Sequence, residues 1–275
     1  MKKYMVRCDM GGVSGVVNLM QIIPGQHGYG YGCRMMTADL LALLKGLKSG
    51  GADEIVVYDL HCDGLNLDIE KLPEFAKIVC GKPPYTADWA GGLEDTFEGV
   101  ILLGFPPKCG TDEGVLSYTY DKEIRDMRLN GVSVGEIGME AAIAGDFDIP
   151  VLLVTSDSSG IIEATSLLPG VLGVAVKDAI GGGGMCYPLS TTTNLIRLAA
   201  EQIVNDPPDV EPYLVDSEVL LQIDLAEGTF LESARRAIGD SEFQDSTLEL
   251  RGKSVLETWA AYLLHRDRIY REIVT

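Results

Sequence analysis

The chain has 275 residues, 41 of them acidic and 22 basic, for a net charge of −19. Such a field repels phosphate backbones and anionic lipid, so nucleic acid and membrane surfaces are excluded as partners. Hydrophobic residues at 46% and charged ones at 23% describe a globular chain, long enough for one large domain or two modest ones. The longest apolar runs, such as Ile149–Thr155, are too short to cross a bilayer. Met1-Lys-Lys runs straight into the first predicted strand and leaves no room for a signal peptide. Six scattered cysteines (8, 33, 62, 80, 109 and 186), with no CxxC pair, then read as reduced thiols of a cytoplasmic protein.

Tyr4–Cys8 is mostly apolar, as a strand buried on both faces would be, and delivers Asp9 into a turn rich in glycine (Gly11, Gly12, Gly15). Residues 16–32 read as a loop, with His27 on the surface. Met36, Leu40, Leu43, Leu44 and Leu47 recur at helical spacing over 34–49, and Gly50-Gly51 ends that helix. Glu54–Asp59 is a second buried strand running out at Leu60-His61-Cys62. A strand–helix–strand unit with parallel strands brings Asp9 and His61 to the same sheet edge. A carboxylate and an imidazole there begin a metal or acid–base site, or form a hydrogen-bonded core pair.

A third strand, Gly99–Phe105, ends in Pro106-Pro107-Lys108-Cys109. Residues 115–129 alternate as a hairpin would, with Asn130-Gly131 as a turn. Ser133-x-x-Glu136 has the spacing of a capping box opening a helix through Ala144, with Glu136 reaching back to its own cap. A strand over 151–155, a helix over 160–168 and a short strand over 172–176 follow. Gly181–Gly184 reads as a flexible loop or lid, or as an anion cradle before a helix over 190–204, although the phosphate-loop and GxGxxG spacings are both missing. Asn205-Asp-Pro-Pro-Asp is a polar linker. The predicted organisation is a parallel-sheet α/β, Rossmann-like main domain over 1–208 and a small α+β module over 209–275, ordered β-α-β-α. His265, on the last helix, is read as structural.

The order of these landmarks resembles the D-aminopeptidase family encoded in bacterial dipeptide-transport operons, which are dinuclear zinc metallopeptidases assembled as ring-like homo-oligomers. The likeness covers nearly the whole chain. It is carried by Asp9-Met-x-Gly-Val-Ser-Gly15, Asp59-x-His61, Gly91-Gly-Leu-Glu-Asp-Thr-Phe97, Leu103-Gly-Phe105, Gly131-Val-Ser-Val-Gly-Glu136, Pro150-Val-Leu-Leu-Val and Ala175-Val-Lys177. The resemblance implies metal ligands at Asp9, His61 and Glu136. Two further ligand positions depart from it: a family Glu falls on Gly11 and a family His on Pro106. A family His implicated in catalysis falls on Tyr118.

Asp9, His61 and Glu136 alone could hold one ion, so zinc is expected at no more than one per chain. Cys62 and Cys109 could serve as soft substitute ligands, and Cys109 beside Lys108 as a nucleophile; ordinary loop thiols are the other reading. Two functions are therefore carried forward. One is a metal-dependent aminopeptidase or amidase in which Glu136 or Tyr118 assists proton transfer. The other is a noncatalytic or repurposed homologue that binds a small peptide or amide ligand, or serves as an oligomeric scaffold.

Overall fold

The computed structural model describes residues 1–274. In chain order the elements are β1 (Lys3–Cys8), α1 (Tyr29–Ser49), β2 (Glu54–Asp59), β3 (Ala76–Val79), β4 (Gly99–Leu103), β5 (Ile124–Leu129), β6 (Val132–Ser133), α2 (Glu136–Gly145), β7 (Val151–Ser156) and α3 (Ser158–Leu167). They continue as β8 (Leu172–Ala175), β9 (Lys177–Ile180), β10 (Gly183–Cys186), α4 (Leu189–Asn205), β11 (Val219–Leu225), α5 (Thr229–Ile238), β12 (Phe243–Gln244), β13 (Thr247–Gly252) and α6 (Val255–Val274).

Six parallel strands form the main sheet in the order β3-β2-β1-β4-β7-β8. The order reverses between β1 and β4, which is where doubly wound sheets open a crevice at the carboxyl ends of their strands. Cys8 pairs with both Asp59 and Leu103. Residues 9, 60–61 and 104–106 therefore leave the sheet side by side.

Strand alternation divides the core. Tyr4, Val6 and Cys8 join an apolar cluster with Leu40, Leu44 and Ile196 of α1 and α4. Met5 packs with α2 and the second sheet on the opposite face. Asp9 thus lies on the side away from Cys8, as the alternation predicts. All ten residues of α2 are buried, because Glu136-Ile-Gly-Met-Glu-Ala-Ala-Ile-Ala-Gly is apolar or small around most of its circumference. It sits between the two sheets and carries its two glutamates, Glu136 and Glu140, one turn apart on the same face.

The second sheet is antiparallel, in the order β12-β13-β11-β5-β6. It combines strands from residues 219–252 with β5 and β6 from the middle of the chain, joined by the Asn130-Gly131 turn. The 209–275 segment therefore completes its sheet with residues 124–133.

Three local expectations are corrected. Helix α1 begins at Tyr29, where the sequence suggested a loop to residue 32; the Tyr29 hydroxyl anchors this first turn on Asn66. Ser133 does not cap α2, whose N-cap is Gly135. Instead Ser133 pairs in β6, and its hydroxyl donates to Asp126 Oδ1 at 2.7 Å. The glycine run is the tip of the β9–β10 hairpin: Gly181 and Gly182 both have positive φ (52° and 81°), as a two-residue turn between twisted strands requires.

The turn after β1 is tied down by Asp39 of α1. Its carboxylate is fully buried and accepts from the Ser14 backbone N–H and hydroxyl, each at 2.8 Å. Burial pushes Asp39 up to about 6 against those hydrogen bonds and the charge of Lys177. Between its ordinary value and about 6 the folded chain holds a proton that the unfolded chain has released. This group's contribution to stability therefore falls as pH rises through that window, by up to about 3 kcal/mol. Asp39→Asn is expected to remove that slope, read as the wild-type minus variant difference in unfolding free energy between about pH 4 and about pH 7. A difference that stays flat would show that Asp39 is not desolvated as the fold implies.

Candidate functional site

The crevice at the β1/β4 switch point collects most of the predicted site residues. Asp9 follows β1, His61 follows β2, Pro106 follows β4, and Glu136 opens α2. Asp9, His61 and Glu136 are each no more than 5% exposed. Asp9 Oδ1 lies 2.9 Å from His61 Nδ1. Asp9 Oδ2 accepts from the Gly11 N–H and from the Tyr118 hydroxyl, both at 2.9 Å. His61 Nε2 is 2.7 Å from the Ile22 carbonyl. That carbonyl and the Asp9 carboxylate can only accept, so both ring nitrogens carry hydrogen and the ring is an imidazolium.

The electrostatics agree with this geometry. Burial alone would lower the His61 pKa, but the charge and hydrogen bond of Asp9 outweigh it and hold it well above the ordinary value. Burial raises Asp9, and His61, helped by the hydrogen bonds from Gly11 and Tyr118, more than reverses that, leaving the carboxyl below its usual range. Glu136 Oε1 accepts from the Tyr120 N–H at 2.7 Å. Burial, followed by the charge of Asp9, pushes Glu136 up to about 8. Burial likewise holds Tyr118 well above its ordinary value, with Asp9 and Glu136 adding to the effect, so it remains a donor.

Gly11, Pro106 and Tyr118, the three positions that the sequence reading set against the family's ligand pattern, are neighbours in space. A Cβ on Gly11 would lie 2.6 Å from the Tyr118 hydroxyl and 3.1 Å from Pro106 Cβ. The Tyr118 side chain therefore occupies the room that a side chain at position 11 would need.

Cys62 Sγ is 3.3 Å from His61 Nε2, whereas Cys109 stands apart: its N–H donates to Thr119 Oγ1 at 3.0 Å. Among the described residues, no group of three or more His, Cys, Asp and Glu side chains is placed to hold a metal ion as they stand. His27 is exposed and His265 half-buried on α6.

Two features escaped the sequence reading, and the role of a third, Lys177, could not be read from it. Lys82 brings an ammonium whose charge acts on Glu136, Asp9 and Cys62. Lys177, fully buried, donates from Nζ to the carbonyls of Gly11 (2.9 Å), Val13 (2.9 Å) and Val16 (2.5 Å) and so pins the turn that carries Asp9. A cleft of about 590 Å³ opens beside the site between β2, α2 and α6, walled by Tyr58, Tyr85, Tyr120 and Trp259. Only Lys177 gave a sequence signal, as the last residue of the Ala175-Val-Lys177 stretch.

A profile of the Peptidase_M55 family, described as D-aminopeptidase, matches residues 1–264. The chain belongs to that family. It is 30% identical over 274 residues to a D-aminopeptidase of Bacillus subtilis (strain 168), covering 98% of both chains. It is also similar to a solved structure described as the Zn-dependent D-aminopeptidase DppA from Bacillus subtilis, a self-compartmentalizing protease. There the TM-score is 0.90 at 29% identity, over 98% of each chain. The Peptidase_M55 fold and a D-aminopeptidase-like metallohydrolase ancestry are thereby established for this chain.

Proposed function

We propose that this chain is a Peptidase_M55 homologue whose two-ion centre has been dismantled, leaving room for at most one divalent ion, and whose cleft binds a small peptide or amide. The observation that carries the reading is the contiguity of Gly11, Pro106 and Tyr118. On this reading Gly11 and Pro106 stand where two donors would be needed, and the tyrosine hydroxyl fills the room beside Gly11 and bonds Asp9.

Two zinc ions need several anionic or imidazole ligands. The residues present do not fit that requirement. Glycine offers no side-chain donor and proline only a carbonyl. The self-compartmentalizing relative supports a ring-like homo-oligomer for this chain as well.

Native mass spectrometry after purification without chelators reads both claims at once. The expected result is an oligomer carrying at most one zinc per chain. Gly11→Glu with Pro106→His is expected to change little by itself, because the new carboxylate would meet the Tyr118 hydroxyl. Adding Tyr118→His should raise the metal count. Two zinc ions per wild-type chain would overturn the reading of the site, and a stable monomer at micromolar concentration the reading of the assembly.

A further inference from the structure

We infer that the aromatic cleft selects a carboxylic acid with an apolar side chain, the free end of a short peptide or an N-acyl amino acid, and that Lys82 and Arg266 hold its carboxylate. The inference rests on the reading that this cleft binds a small peptide or amide, and it names the part of that ligand the cleft selects. The volume of about 590 Å³ suits such a molecule.

Both cations line the cleft, Lys82 from the loop after β3 and Arg266 from α6. They are near enough that each charge opposes the other. The chain has 41 acidic residues against 22 basic ones, so carboxylates to neutralise such a pair are plentiful. None does so. Glu136 and Asp9 attract the Lys82 ammonium, but it makes no hydrogen bond or ion pair among the described residues. Arg266 approaches Asp121 Oδ2 only through Nη1, at 3.6 Å, which is too long for a hydrogen bond. Its Nε is buried and has no partner among the described residues. The acidic groups on the cleft wall are otherwise engaged. Glu140 is bonded to Arg7, Glu257 accepts from the Lys253 N–H at 2.6 Å, and Asp63 and Asp267 are exposed to water.

The backbone around Lys82 is fixed although its ammonium is not. On one side Gly81 N–H donates to the Gly64 carbonyl at 2.9 Å. On the other the Tyr58 hydroxyl donates to the Pro83 carbonyl at 2.7 Å. An anion arriving there would need to order little more than the lysine side chain itself. The guanidinium of Arg266 adds donors in the planar arrangement that a carboxylate matches.

The walls supply the second half of the selection. Trp259 packs against Tyr120 with ring centroids 4.4 Å apart, and Tyr58 against Tyr85 at 5.8 Å. Rings held in this way offer apolar faces to a side chain. A bare anion has no use for them, and an uncharged apolar ligand has no use for the two cations. Glu136 and Asp9 lie close enough to act on Lys82, so they disfavour a doubly charged phosphate relative to a singly charged carboxylate.

The test titrates each enantiomer of N-acetylphenylalanine, its primary amide and N-acetylglycine into the full chain by isothermal titration calorimetry. The acid is expected to bind about 10-fold or more tighter than its amide, and tighter than N-acetylglycine by a similar factor. Lys82 has φ +42°, which asparagine tolerates. Lys82→Asn and Arg266→Gln should each weaken the acid about 10-fold and leave the amide unchanged, the amide reporting that the cleft is intact. Lys77→Gln removes an exposed charge from β3 and should alter neither. Equal affinity for acid and amide would overturn the inference and leave the cleft reading standing. So would a preference for the acid that survives both substitutions together, or tighter binding of phenyl phosphate. If neither acid nor amide binds at about 10 mM, the inference and the cleft reading fall together.

Discussion

Lys177→Met is expected to destabilise the fold by about 3–5 kcal/mol, lowering the thermal midpoint by on the order of 10 °C. The ammonium has three acceptors, the carbonyls of Gly11, Val13 and Val16, and all three belong to the turn between β1 and α1. Burial pushes the Lys177 pKa down to about 8, opposed by Asp157, Cys186, Asp39 and Asp9 in that order. The charge is thus held at a cost that only a full set of hydrogen bonds can offset. Methionine would match the volume and remove the desolvation cost, but it would take the ammonium from all three carbonyls and leave Val13 only the Val16 N–H at 3.4 Å. Because Gly11 also donates to Asp9 Oδ2, amide exchange should quicken at residues 11–16 before it does in α1. A loss below about 1 kcal/mol in denaturant unfolding would mean that water reaches those carbonyls, and that Lys177 is not the pin.

The main sheet was legible because its strands are short apolar runs closed by turn residues, and parallel strands buried on both faces read that way. That reading placed Asp9 and His61 at one edge, where they stand 2.9 Å apart. Other features resisted for identifiable reasons. Ser133-x-x-Glu136 satisfies the spacing of a capping box, but β5 offers Ser133 a strand partner, and tertiary pairing prevails over a local cap. Gly181-Gly182 carried the dipeptide signal of a tight hairpin, yet the flanking strands are only four residues each and show no alternation strong enough to expose it. The second sheet drew β5 and β6 from 90 residues upstream of β11, an association that no local pattern encodes. Lys82 and the aromatic cleft wall come from segments distant in sequence, so their meeting is a property of the packed chain. Cys62 had a sequence neighbour in His61, but adjacency alone does not give the left-handed turn that brings thiol and imidazole together.

Breaking the ion pair behind the cleft is expected to cost about 3–5 kcal/mol, while removing it whole should cost little. Arg7 and Glu140 are both inaccessible to solvent, and the guanidinium bonds directly to Glu140 Oε2. Arg7 also donates to the Ala90 carbonyl at 3.0 Å. Glu140 additionally accepts from the hydroxyls of Tyr85 at 3.1 Å and Tyr120 at 3.3 Å, so the pair fixes two of the cleft's aromatic walls. Arg7 Nε has no partner among the described residues, which lowers what the network returns for desolvating the charge. Arg7→Met would strand a buried carboxylate with only tyrosine hydroxyls, and Glu140→Leu would strand a buried guanidinium. In the double variant neither charge remains, and its stability should lie within about 1–2 kcal/mol of wild type, or above it. The double-mutant cycle should therefore show a coupling of at least about 3 kcal/mol. Additive losses would mean that water or another group already screens the pair. If the double variant is stable but its cleft no longer binds small amides, the pair is kept to position Tyr85 and Tyr120 rather than to hold the fold.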